Sequence, residues 1–135
     1  FLSSRFAQCQ DFRVKFLRAD RFDARLAAQR LVNHFELKMK LFGYQRLARD
    51  ITYEDLSEQG RYDLMLGGVW VLKGYDRTGR KLIMVSVEHA NLDSDNLENL
   101  FYWFMNASED PQVQKHGIVD VLFCLGNSVQ KPFSV

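Results

Sequence analysis

Apolar and polar residues follow a helical period in the first third of the chain. Residues 11–18 place Phe12 and Phe16 one turn apart on one face, which predicts a short helix with Asp11 as its N-cap. A helix with an apolar face of this kind needs a partner element to cover it.

A longer amphipathic helix is predicted from about residue 24 to residue 42. Asp23 is suited to the N-cap, and Gly43 follows the last turn, where glycine accommodates a left-handed backbone. The members of its expected apolar stripe are three or four residues apart: Ala24, Ala28, Leu31, Phe35, Met39 and Phe42. This stripe predicts the face that packs against the rest of the protein.

Two further helices are predicted downstream. Residues 52–55 have the form of a capping box that opens a short helix ending at Gly60. An amphipathic helix is expected from about residue 96 to residue 107, and Asp110 and Pro111 end it because proline disfavours helix in the preceding residue. Its apolar positions are Leu97, Leu100, Phe101, Phe104 and Met105.

Three runs of the second half have the composition of β-strands. Residues 69–73 and 82–87 flank a turn sequence over 76–79 that ends in Gly79, which predicts a hairpin. A near-continuous apolar run over residues 118–125 is typical of a strand covered on both faces of a parallel or mixed sheet. Strands interspersed with helices predict the α/β class.

These elements divide the chain into three segments. A helical module is expected over residues 9–50, a connecting short helix over 51–66, and the first part of an α/β domain over 67–135. In the last segment, the order hairpin, helix, strand predicts a mixed sheet that is incomplete. We therefore expect the chain to be a fragment of a longer protein.

Charge and cysteine content narrow the function classes. Residues 1–50 hold 11 Lys and Arg against 5 Asp and Glu, whereas residues 51–135 hold 7 against 12. The basic first part suits an anionic membrane surface or an acidic partner, or it is the solvated face of Arg-rich helices. Cys9 and Cys124 lack metal or redox spacing, and two free thiols are typical of a reducing cytosol.

Catalytic and metal-binding motifs are absent from the sequence pattern. His34, His89 and His116 lie far apart and are expected to be ordinary surface or helix-end residues. The aspartates from Asp93 onward lack the glycine and the final carboxylate of a calcium loop. The aromatic residues do not interleave with a basic stripe, so no nucleic acid is expected. We expect no enzyme, no metal and no cofactor, and the 11 phenylalanines form either a large core or a pocket lined with rings.

Two motifs together resemble the CRAL-TRIO lipid-binding family. The stretch Phe16-Leu-Arg-Ala-Asp-Arg-Phe-Asp23, followed by Ala27-Ala28 and a long amphipathic helix, looks like the N-terminal signature of that family. The stretch from Gly74 to Ile83, which contains Asp-Arg-Thr-Gly-Arg, is similar to its first hairpin. A helix, a glycine and a hydrophobic strand then follow in the family's order, so the resemblance covers roughly residues 10–135.

The resemblance implies a monomeric cytoplasmic protein, transiently associated with membranes, that binds a hydrophobic lipid and transfers it between them. The lipid would be a phospholipid, phosphoinositide, tocopherol or retinoid. The side chains that would line the pocket are Leu97, Phe101 and Phe104 of the helix and Val119, Val121 and Phe123 of the last strand. Ile118, Asp120 and Leu122 would then pack against outer helices. Arg18 and Arg21 would contact a headgroup or the membrane.

The chain also departs from the family pattern. Asp20 stands where the family has an arginine near the headgroup phosphate, and an acidic side chain beside a phosphate is repulsive. Phe123 stands where the family has an aspartate, and Lys81 stands at the usual hairpin proline. Asp20 and Phe123 leave open a second hypothesis, in which the chain is a regulatory protein-interaction or membrane-recruitment module of a larger signalling protein.

Overall fold

The computed structural model describes residues 8–66, 68–86 and 94–123. The α-helices of this part are α1 (Gln10–Ala19), α2 (Ala24–Phe42), α3 (Glu58–Met65), α4 (Ser94–Ala107) and α5 (Pro111–His116). The strands are β1 (Val69–Tyr75), β2 (Lys81–Ser86) and β3 (Ile118–Phe123). Two short 3-10 helices, Tyr44–Arg46 and Tyr53–Asp55, lie between α2 and α3.

The described strands form one mixed sheet in the order β1-β2-β3. β1 and β2 are antiparallel and form the predicted hairpin, in which Gly79 has a φ of 85° that L side chains rarely adopt. β2 and β3 are parallel, and the chain between them includes α4 and α5. Helices combined with a small mixed sheet confirm the α/β class.

A hydrophobic cluster joins the three predicted segments. Its buried members are Phe42 of α2, Ile51 and Leu56 of the connecting segment, and Phe101 of α4. Because each segment contributes at least one buried side chain, the packing is continuous from α2 to α4. The division into domains stays a prediction.

The ends of α2 are confirmed as the sequence predicts them. Asp23 accepts hydrogen bonds at 3.0 Å from the backbone N–H groups of Arg25 and Leu26, and Gly43 follows the helix with a φ of 77°. At α1 the expected cap is wrong: Cys9 is the N-cap, without a side-chain hydrogen bond, and Asp11 lies in the first turn. A carboxylate in that turn still complements the helix dipole.

One predicted helix end is wrong, the predicted end of α4 at Ala107 is confirmed, and α5 was not predicted. The capping box of Thr52 and Asp55 is present, but it opens a 3-10 helix, and α3 runs through Gly60 rather than ending there. Gly60 lies inside α3 because α4 packs closely against it, with Asn99 Nδ2 donating to the Gly60 carbonyl at 3.1 Å. Pro111 begins α5, where the missing N–H of proline costs nothing, and the Asp110 side chain caps the helix through the N–H of Gln112.

The buried face of α2 also differs from the predicted stripe. The buried residues are Ala27, Lys38 and Phe42, whereas Met39 is 49% exposed. Lys38 can be buried because its Nζ donates to the carbonyls of Leu47 and Arg49. Hydrophobicity alone therefore does not identify the face that packs.

The last strand is more exposed than its composition predicts. Val121, Leu122 and Phe123 are 37%, 53% and 42% exposed among the described residues. Residues 124 and 125, the end of the predicted strand, lie outside the described part of the chain. Within the described ranges, no helix combines the length and the hydropathy needed to cross a bilayer.

Candidate functional site

A groove with a volume of about 710 Å³ lies between α1, α2 and α4. Most of the exposed area inside it belongs to apolar atoms. Its volume is within the range of small-molecule sites, which run from about 300 to about 1,000 Å³. The groove is therefore the candidate functional site among the described residues.

One wall of the groove comes from α4. Leu97, Phe101 and Phe104, predicted to line a pocket together, all line it, because their spacing of four and three residues places them on one helical face. Leu97 and Phe104 are 41% and 39% exposed, while Phe101 is 8% exposed and also belongs to the core cluster. The helix thus presents two accessible apolar side chains beside one that is anchored.

The opposite wall comes from the segment predicted as the helical module. Phe16 of α1, with His34 and Leu37 of α2, faces the α4 residues across the groove. Val119, Val121 and Phe123 of β3 are not part of the groove.

The pairing of β3 with β2 shows which β3 residues share a face, while the lining of a lipid pocket by Val119, Val121 and Phe123 stays a prediction. Ile118 is the β3 residue that lines the groove. In the parallel register Lys81 pairs with Ile118 and Ile83 with Asp120, so Ile118, Asp120 and Leu122 share the sheet face of buried Ile83. Val119, Val121 and Phe123 lie on the other face. Partial desolvation raises the pKa of the Asp120 carboxyl, although its side chain is exposed at the sheet surface.

His34 lines the groove within a cluster of aromatic rings. Its ring stacks on Phe101 with centroids 5.1 Å apart, and the rings of Phe16 and Phe35 lie edge-on at 5.3 and 5.4 Å. Its Nε2 atom is buried without a hydrogen-bond partner in the described structure. Burial, together with the positive charges of Lys38 and Lys15, lowers the pKa of His34 to about 4.

The sequence prediction for His34 as a surface or helix-end residue is therefore wrong. Counting from Ala27 instead of Ala24, the four- and three-residue spacing reaches Leu31, His34 and Lys38. That alternative stripe contains a histidine and a lysine, so a pattern based on hydrophobicity passes over it. His116, by contrast, is exposed at the end of α5, as predicted, and His89 lies outside the described residues.

Charged side chains at the edge of the groove are held in ion pairs. Lys15 pairs with Glu109, and Arg30 donates to both carboxylate oxygens of Asp20 at 2.7 and 2.8 Å. The bond from Arg30 lowers the pKa of Asp20 and offsets its negative charge. Asp20 therefore links the end of α1 to α2, which explains an acidic residue at this position without reference to a ligand.

Arg18 and Arg21 line a second recess of about 550 Å³ rather than the groove. Phe22, Pro111, Gln114 and Lys115 complete its lining. Arg18 donates through Nη1 to Oε1 of Gln114, which ties α1 to α5. The structure thus brings the two predicted contact residues together and adds Phe22 and Lys115, which the sequence reasoning missed.

Comparisons with known proteins give no assignment. No protein-family model matches the chain, and a search of curated proteins finds no match. Among the described residues, no group of three His, Cys, Asp or Glu side chains is arranged to hold a metal ion. The groove, the second recess and the sequence motifs are therefore the features that bear on function.

Proposed function

We propose that this protein binds a hydrophobic, lipid-like ligand in the groove between α1, α2 and α4 and transfers it between membranes. The observation that carries the proposal is the apolar face of α4, where Leu97 and Phe104 remain accessible inside a groove of about 710 Å³. Each methylene group that leaves water for such a surface contributes about 0.8 kcal/mol. A groove that covers a long apolar chain can therefore offset much of the free energy that the chain loses on leaving a bilayer.

The motifs of the sequence support the same proposal. The Phe16–Asp23 and Gly74–Ile83 stretches resemble those of CRAL-TRIO proteins, and membership of that family is part of what we propose. The observed order of helical module, hairpin, helix and parallel strand is compatible with it. On this proposal the protein is a cytoplasmic monomer that meets membranes transiently and carries out no covalent chemistry.

The lining of the groove favours an amphipathic ligand. Apolar side chains of α4 and Phe16 form the interior, whereas Lys15, Arg30 and Asn33 contribute polar groups. Both cations are already paired with carboxylates, so a strongly anionic headgroup gains less there than at a free cation. The proposed ligand consequently has a dominant apolar chain and an uncharged or weakly charged polar end.

Substitution of Phe104 by Asp tests the proposal. A carboxylate at this position places a charge inside the apolar groove, and an uncompensated charge there disfavours a hydrophobic ligand. We expect co-purifying lipid to disappear and transfer of labelled lipid between vesicles to fall more than about tenfold. Far-UV circular dichroism of the variant should match that of the unchanged protein, because Phe104 is 39% exposed.

The matched control is Met65→Asp, an equivalent change at a residue of α3 that is 79% exposed and lies outside the groove. It should leave lipid content and transfer unchanged. Equal lipid uptake by the Phe104→Asp variant would refute the assignment of the groove. An unchanged protein that carries no lipid and moves none would favour the regulatory protein-interaction hypothesis instead.

A further inference from the structure

A basic recess with an exposed aromatic side chain lies at the turn between α1 and α2. Arg18, Arg21 and Lys115 contribute three positive charges, and Phe22 is 67% exposed beside them. Single exposed apolar residues are common on protein surfaces, so Phe22 by itself indicates nothing. The combination of a phenyl ring with several cations is the chemistry that adsorbs to anionic bilayers.

The positive charges of this recess are not neutralised within the described residues. None of the three cations forms a salt bridge there, and Asp20 pairs with Arg30 instead. Asp23 accepts from two backbone N–H groups as the cap of α2.

The remaining neighbouring acids are also engaged. Asp110 accepts from the hydroxyl of Tyr75 and from the backbone N–H of Gln112. Glu109 pairs with Lys15. Glu109 and Asp20 are neutralised by their ion pairs, and the three cations outnumber Asp23 and Asp110, which have only neutral donors among the described residues, so the recess keeps a net attraction for an anionic surface.

Helix stability accounts for only part of this cluster. Arg18 and Lys115 lie in the last turns of α1 and α5, where positive charge complements the helix dipole. Arg21 and Phe22, however, have φ values of 53° and 66°, a conformation in which glycine or asparagine is favoured. The aromatic side chain of Phe22 neither suits this backbone conformation nor packs in the core, since it is 67% exposed.

We propose that Arg18, Arg21, Phe22 and Lys115 form a membrane-docking surface for anionic phospholipid bilayers. The three cations attract lipid phosphates and carboxylates, and the ring of Phe22 enters the interface between headgroups and acyl chains. α1 contributes Arg18 to this surface and Phe16 and Ala19 to the groove, so docking brings the groove close to the bilayer. The inference names the membrane partner of the proposed carrier, but adsorption itself does not depend on lipid uptake.

Vesicle sedimentation with the full chain tests the inference. The unchanged protein should bind vesicles that contain phosphatidylserine, bind phosphatidylcholine vesicles much less, and be released from the former by added salt. Each cation near an anionic surface contributes about fivefold in partition, so the Arg21→Asn/Lys115→Gln double variant should bind about thirtyfold more weakly. Asn suits the positive φ at position 21, which protects the fold.

Phe22→Asn isolates the aromatic contribution. Asparagine fits the left-handed backbone better than phenylalanine, so weaker binding is not caused by unfolding. We expect about a tenfold loss from removal of the inserted ring. The matched control is Lys40→Glu, an exposed cation about 25 Å away along α2, which should bind as the unchanged protein does.

The outcomes separate this surface from the groove. Weak binding by both recess variants, with normal co-purifying lipid, supports the docking surface. If the recess variants bind anionic vesicles as tightly as the unchanged protein does, the inference is overturned, whatever the groove contains. Binding of an acidic peptide without binding of vesicles would also overturn it.

Discussion

The aromatic cluster around His34 predicts a specific dependence of stability on pH. The pKa of His34 falls from an ordinary value of 6.5 to about 4 in the folded protein, mainly through burial. The folded state thus favours the neutral ring, whereas the unfolded chain takes up a proton near pH 6.5. Stability from this residue is complete above the unfolded pKa and is lost as pH falls from about 6.5 to about 4.

The magnitude follows from the two pKa values. One pKa unit corresponds to about 1.4 kcal/mol, so the interval from 6.5 to about 4 represents about 3 kcal/mol of unfolding free energy. A small domain has a total stability of about 5 to 15 kcal/mol, and a change of this size is therefore easily measured. The loss should be nearly complete at about pH 4 and absent at about pH 7.

His34→Phe removes the titrating group and keeps an aromatic ring against Phe101. Urea unfolding, followed by circular dichroism between about pH 7 and about pH 4.5, gives the free energy of each protein at each pH. The unchanged protein should lose about 2 to 3 kcal/mol more than the variant over this interval. Other acidic groups titrate in both proteins, so the difference between the two curves isolates His34. If both proteins lose the same free energy of unfolding over this pH interval, the reasoning is refuted.

Two further predictions concern local structure and are measured by urea unfolding at neutral pH. Asp23→Ala removes the acceptor of two N–H groups at the start of α2 and should cost about 1 kcal/mol, whereas Asp23→Asn should keep most of the stability. Gly60→Ala places a Cβ 3.1 Å from Asn99 Oδ1 and from Ser57 Oγ, and should destabilise by about 1 to 2 kcal/mol because α3 and α4 must move apart. If Gly60→Ala instead stabilises the protein, as alanine does in an isolated helix, the close approach of these helices is wrong.

Local chemistry explains which features the sequence predicts well. The ends of α2 depend on Asp23 and Gly43, and the hairpin turn depends on Gly79, so each is decided by residues a few positions away. The grouping of Leu97, Phe101 and Phe104 on one face of α4 follows from helical periodicity alone. The start of α5 at Pro111 was missed because proline both ends a preceding helix and begins a new one, and only the Asp110 cap distinguishes the two roles.

The sequence by itself determined the helices α1 and α2, the hairpin and the apolar face of α4, because caps, turns and periodicity act within a few residues. The tertiary structure decided what stands opposite that face, namely α1 and α2 rather than β3. It also decided that Lys38 is buried while Met39 is exposed, and that His34 lies among aromatic rings, which a hydrophobic stripe does not predict. The physical reason is that a face shows only that a partner is needed, while the identity of the partner depends on the packing of elements distant in the chain.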